Sequence, residues 1–161
     1  MVKYMQIPYL FPTCLMLHLT ALVLMAGTTL VDYLAYSSLW KSFEQGERPI
    51  ALLSMMAKLP RVAGIGAALL ILTGFGMMAL THGAFGEQLW FRIKFGLVIL
   101  VILNSLLVGR QQGVKLRRML NTGKPLIAGE MNRIRTALTR FHLSQLLLFL
   151  LIIFLSVFKF N

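Results

Sequence analysis

The sequence predicts an all-α protein, an integral membrane bundle of four helices. Three observations carry that prediction. Of 161 residues, 58% are hydrophobic and 13% charged, with a mean hydropathy of +0.77; soluble domains hold about 45–50% apolar and about 25% charged residues. Four apolar runs approach the length of about 20 residues that a helix needs to cross the hydrocarbon layer. The basic residues avoid these runs and gather in two of the connections. The length fits a single domain spanning residues 1–161. The composition excludes a disordered chain and argues against a soluble enzyme. A lone cysteine, Cys14, permits no internal disulfide and no Cys-x-x-Cys or Cys/His zinc pattern.

The first span is expected over about 10–38. From Leu10 to Val31 it carries no formal charge. Lys3, Ala26 and Gly27 superficially suit a cleaved signal, but the apolar stretch outruns the 7–15 residues of a signal core and continues past His18 and Asp32. It reads as a retained helix, long enough to tilt or to project into water. Spans two, three and four are expected over about 62–82, 89–109 and 140–158. The third reaches full length only if Lys94 lies near an interface. Gly83 and Gly86 suit the short turn at 82–90.

Orientation follows from charge. The connections 41–61 and 110–140 together hold twelve basic residues, against four elsewhere. Basic residues favour the cytoplasmic side, so both long connections are placed there and both termini outside. Gly123, Pro125 and Gly129 are expected to break the basic 110–140 loop. Its segment Gly113 to Leu120 is expected to lie on membrane lipid as a short basic amphipathic helix. The net charge of +11 is explained by this topology, and no nucleic-acid partner is expected, because the run lacks the interleaved aromatics of a stacking platform.

Ionisable groups inside a membrane are costly and mark function or pairing. Helical spacing puts His18, Leu22, Met25, Thr29, Asp32 and Tyr36 on one stripe of the first helix. Asp32 is expected to pair with Arg61 or Arg110. His18 has two readings: a polar anchor bonded to a threonine or a carbonyl, or a metal ligand, imidazole being the commonest one. His82 closes span two on a face with Met78, Phe75, Ile71 and Gly64, and His142 opens span four on a stripe with Gln145, Phe149, Ile152 and Ser156. The small residues Ala63, Gly64, Gly66, Ala67, Ala68, Thr73, Gly74 and Gly76 let a neighbouring helix approach closely, leave room for a flat cofactor and permit a homodimer. Met16, Met25, Met77 and Met78 are packing residues or soft ligands for Cu(I). Trp90 and Lys94 stand one turn apart where span three begins. They read as an interfacial pair, or as a lysine turned inward toward a cofactor carboxylate or a metal. Asn104 is placed to join a helix–helix hydrogen bond.

The segments LMLHLTALVLMAGTTL around His18, ILTGFGMM around Gly74 and LWFRIKFGLVIL around Trp90 and Lys94 occur in this order. Over roughly residues 12–110 the chain resembles the small four-helix bacterial membrane proteins that include HemJ-type protoporphyrinogen oxidases and CopD-type copper proteins. The resemblance implies a haem b cofactor, with His18 as the haem histidine and Lys94 as the lysine of span three. It also implies electron transfer to an unidentified redox partner, or porphyrin oxidation. His82 is the alternative second iron ligand or propionate partner. That family carries a Pro-Arg pair after its first span; here Val31, Asp32 and Tyr33 stand in that region. Two other functions fit the residues: a copper or small-solute transport module using His18, Met25 and Met77 or Met78, and a cofactor-free structural or assembly protein.

Overall fold

The computed structural model describes residues 7–47, 49–81, 86–121 and 128–158. Every regular element among them is helical: α1 (Ile7–Glu44), α2 (Ile50–Leu80), α3 (Leu89–Asn104), a π-helical turn (Ser105–Gly109), α4 (Arg110–Asn121) and α5 (Ala128–Val157). Four helical stretches are long and apolar enough to cross a membrane: Tyr9–Glu44, Ile50–Leu80, Leu89–Leu116 and Gly129–Val157. The third runs through α3, the π turn and into α4. The chain forms two compact units, Met1–Gln88 and Leu89–Asn161.

The first unit is an antiparallel hairpin of α1 and α2. Its seam follows a 3-4 spacing. On α1, Cys14, His18, Ala21, Met25, Thr28, Asp32, Ala35 and Leu39 are all buried or half-buried; on α2 the same holds for Met56, Leu59, Ala63, Gly66, Leu70, Thr73 and Met77. A 3.5-residue apolar repeat gives the left-handed packing of coiled coils. Small residues bring the backbones together: a methyl group built on Gly66 would lie 3.3 Å from Ala21 O, Met25 Cβ and Met25 N. The expected stripe is thus half of the seam. His18, Met25 and Asp32 lie on it, while Leu22, Thr29 and Tyr36 flank it, half-buried. The small residues Ala21, Thr28 and Ala35 complete it.

Both apolar runs of this hairpin sit inside longer helices. The segment 41–61, expected as a connection, is helical at 41–44 and again at 50–61. Charge marks where apolar surface ends, not where a helix ends: Lys58 and Arg61 point outward while Met56 is buried and Leu59 half-buried. The turn is made by Gly46 at φ +78°. Gly46 N–H donates to Phe43 O at 3.1 Å and Glu47 N–H to Ser42 O at 2.9 Å. This pair of bonds satisfies the last carbonyls of α1 and needs a left-handed residue, which glycine supplies without strain.

Hydroxyls along α1 and α2 bond to their own helix. Thr28 donates to Leu24 O at 2.6 Å and Thr29 to Met25 O at 2.9 Å. This satisfies those hydroxyls within their own helix. Trp40 is the exception: it is buried, edge-on to Phe43 at 6.1 Å, and its indole N–H has no acceptor among the described residues. An orphaned buried donor costs about 1–3 kcal/mol. Trp40→Phe is therefore expected to change stability by no more than about 1 kcal/mol, since relief of the donor offsets the lost ring area. Trp40→Ala should cost about 3–5 kcal/mol. Thermal unfolding in detergent measures both; equal losses would show that the indole has an acceptor.

In the second unit, α3 and α4 pack on α5. Trp90, Lys94, Leu97, Val101, Asn104 and Val108 form a 3-4 seam, all buried or half-buried. The π turn, closed by Arg110 N–H donating to Ser105 O, then inserts one residue. The inward face shifts to Gly109, Gly113 and Leu116. Gly109 gives the Phe141 ring room there: a methyl group on it would meet Phe141 Cζ at 2.6 Å and push the ring aside. The basic loop expected over 110–140 is mostly helix: α4 fills 110–121 and α5 begins at Ala128. Gly129 stands in the first turn of α5, where it does not break the helix, and Ile134 and Leu138 supply a buried stripe that holds this basic segment helical. Gly123 and Pro125 lie outside the described residues. The Gly113–Leu120 helix is present as part of α4.

Candidate functional site

His18 stands on the α1 seam, half-buried, opposite Thr73 of α2. Its Nδ1 lies 2.9 Å from Thr73 Oγ1. The Thr73 hydroxyl donates its proton to Leu69 O at 2.6 Å, so in this pair the ring nitrogen is the donor and the hydroxyl the acceptor. The Nδ1–H form follows, and a neutral ring then carries its lone pair on Nε2. This is how proteins orient a ligating histidine: one ring N–H is held by a fixed acceptor and the other nitrogen is the more basic. Thr73 is 7% exposed, so the acceptor is itself held by packing. The Cε1 edge of the ring faces Gly74, 3.6 Å from where a methyl group would stand. Cys14, one turn before His18, faces Gly76 in the same way at 3.6 Å.

Met25 is buried on the same seam against Gly66. Two helical turns, about 10.5 Å along the axis, separate it from His18. Asp32 is half-buried; the register set by His18–Thr73 and Met25–Gly66 brings it level with Leu59, within a turn of Arg61, which is exposed. Met77 is half-buried on the α2 seam and Met78 is exposed. His82 lies outside the described residues. Among the described residues, no group of three or more His, Cys, Asp or Glu side chains is placed to hold a metal ion.

The second unit holds Trp90 and Lys94 one turn apart on the α3 seam. Trp90 is buried and meets Phe91 edge-on at 5.8 Å; Lys94 is half-buried. Deeper along the seam, Asn104 Nδ2 donates to Gln145 Oε1 at 2.9 Å and to Ser144 Oγ at 3.1 Å, and Gln145 Nε2 donates to Val101 O at 3.4 Å. The helix–helix bond expected of Asn104 is therefore present. His142 and Gln145 are each 1% exposed. A carbonyl only accepts, so His142 donates from Nδ1 to Leu138 O at 2.7 Å, and its ring meets Phe141 edge-on at 4.8 Å. The stripe His142, Gln145, Phe149, Ile152 is buried as its spacing predicts. His142 sits well inside α5 and not at a helix end, because α5 starts at Ala128. The partner of Asn104 was not legible: the Asn104–Gln145 pair needs the α3–α5 register, which no local pattern supplies.

No family model, characterised protein or solved structure matches the chain. The likeness to HemJ-type and CopD-type proteins rests on the three short motifs alone.

Proposed function

We propose that the chain is a b-type haem protein of a bacterial inner membrane with a redox role, in which His18 holds the iron. The observation that carries the reading is the His18–Thr73 pair, an imidazole whose tautomer and orientation are fixed by a buried hydroxyl in a helix long and apolar enough to cross a membrane.

One oriented histidine is enough for a haem. A macrocycle supplies four nitrogens and asks the protein for one or two axial ligands, whereas copper or zinc bound by protein alone needs several side chains in one place. A haem bound here would supply one-electron chemistry at a potential set by its axial ligand and apolar surroundings. In this reading His18 would hold the iron through its ring, Thr73 would orient that ring through Nδ1, and the apolar residues of α1 and α2 would surround the macrocycle. Electron transfer or porphyrin oxidation would be the role served. Haem and copper contents of the detergent-purified protein test the reading. About one haem per chain and no stoichiometric copper is expected. Stoichiometric copper without haem supports transport, and neither supports a cofactor-free assembly protein.

Orientation is the second part of the proposal. Twelve basic residues in 41–61 and 110–140 against four elsewhere set those segments in the cytoplasm and both termini outside. Alkaline phosphatase joined after Asn161 should be active, and joined near Lys124 inactive. The reverse pattern would invert the topology and place His18 in the opposite half of the membrane.

A further inference from the structure

The first half of α5 carries a feature that haem binding does not use. Gly129, Asn132, Arg133, Thr136, Ala137 and Arg140 line an open groove of about 720 Å³ on one face of the helix. These residues recur at i, i+3, i+4, i+7, i+8 and i+11, so they form a single stripe. It is the face opposite Ile134, Leu138, His142 and Gln145, which are buried. Gly129 and Ala137 keep the floor low. Asn132, Thr136 and two guanidinium groups surround it, and its lining has no carboxylate among the described residues. Arg133 and Arg140 are two turns apart, about 10.5 Å along the axis, and both are exposed.

The same stripe continues down the helix and changes character. After Arg140 it runs through Leu143, Leu147, Leu150 and Phe154, which are 52%, 57%, 63% and 46% exposed. From Phe141 to Val157 the helix has no formal charge and measures about 26 Å, close to the hydrocarbon thickness of about 30 Å. Arg140 therefore falls where phosphates lie, with Arg133 above it and an apolar track below. One face thus offers a cationic, hydrogen-bonding head site joined to a tail site. That shape and charge are complementary to an amphiphile with an anionic head.

We propose that this face of α5 is a binding site for an anionic phospholipid. Arg133 and Arg140 grip its phosphate, Asn132 and Thr136 donate to it, and the acyl chains lie along Leu143 to Phe154. Planar guanidinium groups match phosphate oxygens in pairs. Basic pockets at the cytoplasmic ends of spanning helices suit such head groups. A soluble anion would not use the apolar track, and a nucleic acid would find no stacking surface beside the arginines. The inference rests on the membrane reading and is independent of the haem.

Native mass spectrometry of the full chain in detergent tests it, with phosphatidylglycerol and phosphatidylcholine titrated separately. The protein should retain phosphatidylglycerol at concentrations about tenfold or more below those needed for phosphatidylcholine, an advantage within what two basic contacts supply. Arg133→Gln/Arg140→Gln should raise the phosphatidylglycerol requirement about thirtyfold, with phosphatidylcholine retention and helix content unchanged. Lys41→Gln/Lys58→Gln removes two exposed charges from α1 and α2 and should change it less than about threefold, since charges outside the site act only through the general potential. Thr136→Val alters no charge on an exposed position and should weaken retention measurably. Equal losses in the two double variants would reduce the site to diffuse attraction and overturn the proposal. So would an unchanged Arg133/Arg140 variant, or displacement of the lipid by millimolar inorganic phosphate or by a short RNA.

Discussion

His18→Ala is expected to abolish stoichiometric haem while the protein still inserts and folds. The variant loses the axial bond outright. It leaves little structural damage behind, because the Thr73 hydroxyl keeps its own partner, Leu69 O at 2.6 Å, and so is not orphaned when the imidazole goes. A polar group that stays satisfied does not exact the penalty of a buried unpaired one. Thr73→Val is the graded companion. It removes the acceptor from Nδ1–H and keeps the ligand, so haem should be retained with affinity lowered about 10–100-fold, as when an orienting partner of a ligating histidine is lost. The midpoint potential should also move, which a merely structural histidine would not cause. His142→Asn, which changes the second unit, should leave haem content intact. Full haem retention in His18→Ala would sink the assignment and turn attention to His82.

Gly66→Leu is expected to have the largest effect on the fold. The position has backbone on the far side: Ala21 O, Met25 N and Met25 Cβ would all stand 3.3 Å from a Cβ. A branched side chain there forces α1 away from α2 along the seam and separates the His18–Thr73 pair as well. Overpacking of this kind costs about 3 kcal/mol or more when rigid backbone must move. Gly66→Ala should be nearly neutral, because the tight methyl is offset by about 1 kcal/mol of helix propensity. Gly64, two residues away, has nothing within 4 Å of a built Cβ. Gly64→Leu should therefore leave the thermal unfolding midpoint in detergent unchanged or raised. A Gly66→Leu variant as stable as Gly64→Leu would contradict the hairpin packing.

These two glycines show what the sequence disclosed and what it withheld. The small-residue character of α2 was plain, but Gly64 and Gly66 looked alike, and only the register against α1 separates them. On α1, attention to His18, Met25 and Asp32 found alternate seam positions. Ala21, Thr28 and Ala35 are chemically quiet, and only their 3-4 spacing marks them as seam positions. Charge bounds the apolar runs and leaves the helix ends unmarked. Lys58 and Arg61 lie on the wet face of a continuing helix, and Gly46 and Pro49 were the local signs of the true turn. The π turn at 105–109 had no such sign, since it is tied to Phe141 packing on Gly109, a contact far apart in sequence. Of the site, a threonine partner for His18 was one of two readings, and which threonine it is depends on the antiparallel register.

The central claim is that His18 holds haem iron in the α1–α2 hairpin, and the reduced-minus-oxidised visible spectrum of the detergent-purified full chain tests it most directly. The account predicts a Soret band with sharp α and β bands on reduction, at about one haem per chain by pyridine haemochrome, in the wild type and not in His18→Ala. A colourless wild-type protein, purified folded from haem-replete cells, would contradict it.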